Sequence, residues 1–255
     1  MAVMVEVKEL LRSDKEYYTG EGKKYLSNSD IGTLLKNPEM YGVSRPDNKN
    51  FAEGRYFHQL ILEPEKAENV LWCDSASRNT KMYKEFIAEQ DVEVALLKGE
   101  KEHIEKLVNK MLVNLDFYSL IRAKGNIYEE PSVMDYGNAV LNGESIWTKW
   151  KGKADIVSKD YVVDLKTTSN LEDFKWNARK YNYDSQAYVY QQLFNKPMMF
   201  LVVEKQTGRL GMFTGNEDFY ERGKEKMHRA IVVWNKFFKH GDENKLTQHY
   251  IQSEI

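Results

Sequence analysis

The stretch that decides the fold covers residues 151–168 and reads KGKADIVSKDYVVDLKTT. Two segments rich in β-branched residues flank the polar residues SKD, a pattern that predicts two antiparallel strands joined by a short hairpin. Because side chains alternate across a strand, Asp164 and Lys166 share one face of the second strand, and its apolar residues share the other. Asp155 stands as a lone acid among apolar residues of the first strand. The stretch therefore predicts a sheet that carries charged groups on the face of a cleft.

These charged groups are suited to a metal site. Two carboxylates brought together hold a divalent cation through oxygen ligands, as magnesium prefers. The cation would lower the pKa of a bound water and neutralise charge on a scissile phosphate, and Lys166 would position that water or stabilise developing charge. A surface ion pair explains a D-x-K strand equally well, so the stretch alone leaves both explanations open.

Composition limits the function classes. The chain has 255 residues, with 42% hydrophobic and 30% charged residues, which is ordinary for a globular protein. The formal net charge of -2 disfavours a passive DNA-binding module, which usually has a basic excess. An enzyme that holds cations on carboxylates escapes this rule, because the metal supplies local positive charge.

Cysteine usage and hydropathy add further exclusions. The single cysteine, Cys73, excludes an intramolecular disulfide and a multi-cysteine metal site. No stretch approaches the roughly 20 apolar residues of a transmembrane helix, and the N-terminus meets charge too early for a secretory signal. These features predict a cytoplasmic protein.

The pattern of elements predicts one α/β domain with a mixed central sheet flanked by helices. Residues 1–122 are mostly helical, residues 123–215 form the sheet core, and residues 216–255 form a C-terminal helix. Within these portions, helices are predicted at 51–63, 81–89, 101–122, 171–179, 184–194 and 217–239, and strands at 126–134, 145–150, 153–157, 161–166, 198–204 and 210–214. Asn142-Gly143 predicts a hairpin turn.

Five further segments accompany the D…D-x-K stretch in a specific order. They are YLSNSDIGTLLKNPEMY at 25–41, GRYFHQLILEPE at 54–65, RNTK at 78–81, EPSV at 130–133 and QAYVY at 186–190. Together with the stretch, this set resembles the PD-(D/E)xK nuclease superfamily. Within it, the set is most similar to the phage-type exonuclease VIII (RecE-like) and RecB-like group, over about residues 25–195. The resemblance implies a restriction-endonuclease-like fold.

The resemblance also implies site residues. Magnesium, with manganese as a substitute, would be held by the side chains of four residues and one backbone carbonyl: His58, Asp155, Asp164, Glu130 and, through its carbonyl, Leu165. Lys166 would help to activate water, and Gln186 and Tyr190 would support the substrate phosphate. Arg78 and Lys81 of the RNTK segment would contact DNA.

Two features leave alternatives open. Glu129 and Glu130 are adjacent on one predicted strand, so only one can face the cleft; the E-x-S-V pattern selects Glu130, whereas an E-x-P pattern would select Glu129. If the strand runs unbroken through Gly152, the side chains of Trp147, Lys149, Lys151 and Lys153 share a face with Asp155 and form a lysine stripe for a phosphate backbone. A bulge at Gly152 would break that register.

One position departs from the family pattern. The family usually has arginine and proline just before the first acid, whereas Lys153 and Ala154 stand here. Because lysine is a point charge rather than a planar fork, this departure puts a bidentate phosphate contact in doubt.

The resemblance implies a function and partners. It implies a metal-dependent exonuclease that digests linear double-stranded DNA from a 5′ end in phage-type recombination or repair. A ring-like homo-oligomer and a single-strand annealing recombinase are the implied partners. A structure-specific endonuclease of the same superfamily and a catalytically inactive DNA-binding or assembly protein are the alternatives.

Overall fold

The computed structural model describes residues 2–239 and 246; the end of the predicted C-terminal portion therefore lies outside the described residues. The α-helices are α1 Ala2–Leu10, α2 Asp14–Tyr18, α3 Asn28–Lys36, α4 Lys49–Leu62, α5 Pro64–Ala67, α6 Lys81–Glu89, α7 Lys98–Val113, α8 Leu115–Ile121, α9 Phe174–Lys180, α10 Tyr183–Phe194 and α11 Glu217–Phe237. The strands are β1 Trp72–Cys73, β2 Leu96–Leu97, β3 Ile127–Leu141, β4 Glu144–Val157, β5 Val162–Thr168, β6 Met198–Glu204 and β7 Leu210–Thr214. Short 3₁₀ helices cover Glu21–Lys24 and Pro38–Met40.

The main sheet has five strands in the order β3-β4-β5-β6-β7. Only β5 and β6 run parallel, and the other neighbours are antiparallel. The parallel pair arises because α9 and α10 connect β5 to β6, as a crossover between parallel strands requires. The predicted α/β fold with a mixed sheet flanked by helices is confirmed.

The β3–β4 hairpin is longer than the sequence patterns predicted. The two predicted segments 145–150 and 153–157 form one strand, β4, whose pairing with β3 passes through Ser132 and Gly152 without a shift. The register shift lies between Tyr136 and Ala139 instead. At the turn, Asn142 and Gly143 have φ of 52° and 84°, as the tight hairpin predicted from Asn-Gly requires.

The predicted helix at 101–122 is two helices. α7 ends at Val113, and the Asn114 side chain caps α8 by accepting a hydrogen bond from Phe117 N at 3.1 Å. An asparagine that bonds a backbone N–H in this way starts a new helix, and the apolar periodicity that continues through both helices hides the break.

Helices cover both faces of the sheet. One face packs Val163, Leu165 and Leu201 against α4, α7 and α8, and the other face packs Phe200 and Val202 against α9 and α10. A further cluster, with Trp150 at its centre, joins β4 to α3, α10 and α11. Every residue of β6 is buried, which places this strand at the centre of the fold. Among the described residues, no helix is long and apolar enough to cross a membrane.

Candidate metal centre

The site lies where β4 and β5 separate. These strands pair only at Val157–Val162 and Ile156–Val163, so Asp155 and Asp164 occupy the first step after the pairing ends. There the Leu165 N–H donates to Oδ2 of Asp155 at 2.8 Å. A side-chain carboxylate thus replaces a ladder partner, and the Leu165 backbone and the Asp155 carboxylate lie together where the strands part.

His58 reaches this opening from α4. Its Nδ1 donates to the Gly54 carbonyl at 2.8 Å, one helical turn earlier. Its Nε2 lies 3.1 Å from Oδ2 of Asp155 and 3.0 Å from the Leu165 carbonyl oxygen. A Cβ at Gly54 would meet nothing within 4 Å, so the contribution of Gly54 to the site is its carbonyl.

The three converging atoms suit a cation. Because Nδ1 of His58 donates to a carbonyl, a neutral ring presents a lone pair at Nε2, where both neighbours are oxygen acceptors. Two ligands on adjacent octahedral positions about 2.1 Å from magnesium lie about 3.0 Å apart, and Nε2 of His58 lies 3.1 Å and 3.0 Å from the two oxygens here. Nε2 of His58, Oδ2 of Asp155 and the Leu165 oxygen therefore fit one divalent cation.

The charge of Asp155 also favours a positive charge at His58. Burial lowers the pKa of His58, but the charge and hydrogen bond of Asp155 outweigh it and raise that pKa to about 9. Within the described residues, no group of three His, Cys, Asp or Glu side chains suffices for a metal site by side chains alone. The proposed ligand set therefore combines two side chains, His58 and Asp155, with the Leu165 carbonyl.

Asp164 is the second acid and is held from both sides. Its Oδ1 accepts from Nε2 of Gln186 at 2.6 Å, and its Oδ2 lies 2.5 Å from Nζ of Lys166. Burial raises the pKa of Asp164, opposed by the Lys166 charge. The D-x-K alternation within β5 and the Gln186 position on α10 together fix this carboxylate next to the opening.

Tyr190 contacts strand β4 through both its hydroxyl and its ring. Its hydroxyl donates to the Lys153 carbonyl at 2.9 Å, and a Cβ at Gly152 would lie 3.1 Å from the Tyr190 ring. This glycine is the position where close approach matters, because it lets α10 pack directly on β4. Tyr190 therefore positions β4, and its support of the substrate phosphate stays a prediction.

The choice between the adjacent glutamates is corrected. Oε2 of Glu130 lies 2.7 Å from Arg12, Oε1 pairs with Lys8, and Glu130 is buried against α1. Glu129 occupies the register step between the pairs Tyr128–Ile156 and Glu130–Ala154, which is the step of Asp155. Its φ of 48° is a left-handed conformation that the sequence pattern did not reveal.

The pKa of Glu129 reflects its position next to Asp155. Burial and then the charge of Asp155 raise its pKa to about 8. Glu129 of β3 lies at the same level of the sheet as Asp155 of β4 and Asp164 of β5. Glu129, rather than Glu130, is the candidate third acid.

The two glutamates make a matched pair of variants. Glu129→Gln is expected to weaken manganese or magnesium affinity about 10- to 100-fold, as loss of an outer acid does, with little effect on melting. Glu130→Gln is expected to leave metal affinity unchanged. It is expected to lower the free energy of unfolding by about 2 kcal/mol, because it removes the carboxylate charge that pairs with both Lys8 and Arg12.

Metal titration by calorimetry and thermal unfolding of both variants check this prediction. The reverse assignment, with metal affinity lost in Glu130→Gln and retained in Glu129→Gln, would contradict it.

The lysine stripe lies beneath the N-terminal segment. Lys151 is buried and its Nζ donates to the Tyr17 carbonyl at 2.5 Å. Nζ of Lys153 lies 2.7 Å from Asp14 and 4.9 Å from the centre of the Tyr17 ring. Only Lys149 remains exposed, so the predicted phosphate contacts of Lys151 and Lys153 are corrected: both ammonium groups are used inside the protein. The sequence could not show this, because α2 covers the strand only in the tertiary structure.

The two basic residues of the RNTK segment also differ, since one is bound inside the protein and the other is exposed. Arg78 forms a two-pronged ion pair with Glu100, with both N–O distances at 2.7 Å, and also donates to the Ala95 carbonyl. This pairing gives Arg78 a structural position. Lys81 is highly exposed at the start of α6 and pairs only loosely with Glu85 at 3.4 Å, so its DNA contact stays a prediction.

Sequence reasoning missed one residue beside the site. The Tyr183 ring lies 5.0 Å from Nζ of Lys166, which is cation–π distance. The available signal was its position three residues before Gln186, which puts both on one face of α10.

Comparison with known proteins gives a family. The sequence matches a family described as a PDDEXK-like domain of unknown function (DUF3799) over residues 36–247. A solved structure titled "Crystal structure of SSO0001" is similar at a TM-score of 0.33 and 16% identity, covering 71% of this chain and 85% of that chain; this likeness is too weak to support an argument. No curated protein matches the sequence. The family match includes every residue of the metal centre described above.

Proposed function

This chain belongs to the PDDEXK-like family of unknown function (DUF3799), and we propose from that premise that it is a magnesium-dependent nuclease for linear double-stranded DNA. The observation that carries the proposal is the convergence of His58 Nε2, Asp155 Oδ2 and the Leu165 oxygen next to the Asp164–Lys166 pair. A plain surface ion pair does not need a histidine nitrogen aimed at two oxygens. The family description supports a nuclease-type fold, and the finer assignment is ours.

Each residue has a distinct task in this proposal. His58, Asp155 and the Leu165 carbonyl hold the cation, which when bound supplies Lewis acidity and lowers the pKa of water. Asp164, fixed by Gln186, directs its carboxylate toward the same opening. Lys166 holds a positive charge at the position where the attacked phosphate gains negative charge. Glu129 adds a third carboxyl group on the β3 side.

We propose digestion from a 5′ end, in phage-type recombination or repair, with a single-strand annealing recombinase and a ring-like homo-oligomer as partners. The ordered motifs at 54–65, 130–133 and 186–190 support this, since they resemble the exonuclease VIII-like group. Manganese would substitute for magnesium because both prefer carboxylate, carbonyl and water oxygens.

The test compares DNA substrates. Purified protein with magnesium is expected to degrade linear duplex DNA, to leave covalently closed circles intact and to stop when a chelator is added. End-labelled duplexes show which strand is shortened first, and 5′ label lost before internal label is the expected result.

Two other results would change the assignment. Cutting of closed circles would indicate an endonuclease of the same superfamily. Metal-independent DNA binding without any hydrolysis would indicate a binding or assembly protein.

A further inference from the structure

A second concave site lies beside the catalytic strand. Its volume is about 530 Å³, within the range of about 300–1,000 Å³ typical of small-ligand pockets. Its walls include the aromatic rings of Phe174, Trp176, Phe213 and Phe219. Trp176 is 59% exposed, so a large aromatic face is open to a ligand. We call this site the α9 cavity, because α9 contributes Phe174 and Trp176.

The α9 cavity is positively charged. Lys175, Arg179 and Arg222 line it, and none of the three is in an ion pair with a described residue. Asp218 is the acid among the described residues that line the cavity. Nζ of Lys175 lies 5.0 Å from the centre of the Trp176 ring, which places a cation at the edge of the open aromatic face.

Arg222 has an unsatisfied donor. Its Nε is buried and has no hydrogen-bond partner among the described residues, while its guanidinium carbon lies 5.9 Å from the centre of the Phe219 ring. A buried donor without an acceptor is costly, so the described residues leave the guanidinium of Arg222, a residue that lines the cavity, short of an acceptor. The ligand that fits is therefore flat, aromatic and anionic.

Contacting aromatic rings connect the cavity to the catalytic strand. Tyr183 lies 5.0 Å from Nζ of Lys166 on one side. On the other side its ring centre lies 5.8 Å from Phe174 and 5.7 Å from Phe200, which both line the cavity. A ligand in the cavity is thus separated from the catalytic lysine by two aromatic layers, the Phe174 and Phe200 rings of the cavity wall and the Tyr183 ring behind them.

We propose that the α9 cavity binds an unstacked base of single-stranded DNA that continues from the strand in the catalytic centre. Trp176 stacks on the base, and Lys175, Arg179 and Arg222 neutralise the phosphates that flank it. This combination of a stacking surface and a basic groove is how proteins bind single strands without sequence preference. The inference rests on the proposed nuclease function for the identity of the strand.

The test measures binding separately from hydrolysis. A labelled oligothymidylate is titrated in a chelator, so no cleavage occurs, against the wild-type protein and Trp176→Ala. Stacking contributes enough that Trp176→Ala is expected to weaken binding about 5- to 100-fold. Trp72→Ala is the matched control, because Trp72 is also partly exposed and lies 5.7 Å from a lysine ammonium; its binding is expected to equal the wild type.

Two more measurements assign the roles within the cavity. An oligonucleotide with abasic positions is expected to bind the wild type and Trp176→Ala equally, because no base remains to stack. Lys175→Gln is expected to reduce the slope of log affinity against log salt by about 0.7, the value for one single-strand phosphate contact. Thermal unfolding of each variant confirms that the exposed substitutions leave the fold intact.

Several results would overturn the inference. Equal binding of oligothymidylate by Trp176→Ala and the wild type would do so. So would a loss of affinity of Trp176→Ala for the abasic strand as large as its loss for oligothymidylate. Competition by thymidine monophosphate as strong as that by the oligonucleotide would assign the cavity to a free nucleotide instead. Hydrolysis of linear duplex DNA is assayed with magnesium in parallel. Trp176-dependent binding without hydrolysis would contradict only the proposed nuclease function. Hydrolysis without Trp176-dependent binding would contradict only the role of the α9 cavity.

Discussion

Asp164→Asn is expected to lower the rate of magnesium-dependent DNA hydrolysis on the order of a thousandfold or more, because the substitution removes a charge that positions the cation and substrate. The fold is expected to survive. Asparagine has nearly the same shape, and its carbonyl oxygen can still accept from Lys166, while Gln186 can rotate its amide to accept from the new amide nitrogen. The two partners that now hold the carboxylate at 2.5 Å and 2.6 Å therefore keep their hydrogen bonds.

The measurement is the single-turnover rate on linear duplex together with the melting temperature. Asp160→Asn is the matched control, because Asp160 is exposed in the β4–β5 turn and its charge is remote from the opening between the strands. The control is expected to keep wild-type activity. Full activity in Asp164→Asn would contradict the proposed active site.

Lys166→Met is expected to lower the same rate about 100- to 1000-fold while metal affinity stays equal or becomes tighter. Methionine keeps the length of the side chain but removes the ammonium that faces Asp164. Burial lowers the pKa of Lys166, but the charges of Asp164 and Asp155 raise it above its ordinary value, so the group is a cation at neutral pH. Loss of that cation leaves the acids more negative, which favours metal binding and disfavours the transition state.

Opposite changes in rate and metal affinity distinguish this role from a merely structural one. Lys205→Met is the matched control, because Lys205 follows the neighbouring strand β6 and pairs with Glu53 at 2.7 Å. It is expected to lose little activity. A parallel loss of metal affinity and rate in Lys166→Met would show that Lys166 holds the site together rather than acting on the phosphate.

Much of the fold could be predicted from residue patterns. The β-branched segments of residues 151–168, the Asn142-Gly143 turn and the apolar spacing of the helices gave the mixed sheet and most helix positions. The predicted PD-(D/E)xK core agrees with the family match over residues 36–247. The incorrect boundaries lie at Asn114, where a capping side chain ends one helix and starts another, and along β4, where continuous pairing with β3 joins two predicted strands. Such contacts leave little trace in the spacing of apolar residues.

The site was predictable to the extent that it is local. Asp164 and Lys166 share a face because strands alternate, and that geometry holds in any fold that contains the strand. The pairing of Gln186 with Asp164, by contrast, needs α10 to cross the sheet at one position. Gly152 permits that crossing, since it is the point where α10 contacts β4.

Residues 151–168 by themselves therefore determined a hairpin with two acids and a lysine near its end. Only the tertiary structure decided that the strands separate after Ile156–Val163, so that the Leu165 backbone and Asp155 meet His58 from a distant helix. It also decided that Glu129 rather than Glu130 lies beside Asp155, and that Asp14 and Tyr17 cover Lys153 and Lys151. The physical reason is that strand alternation is a local property of the backbone, whereas the neighbours of a side chain depend on which distant elements pack against it.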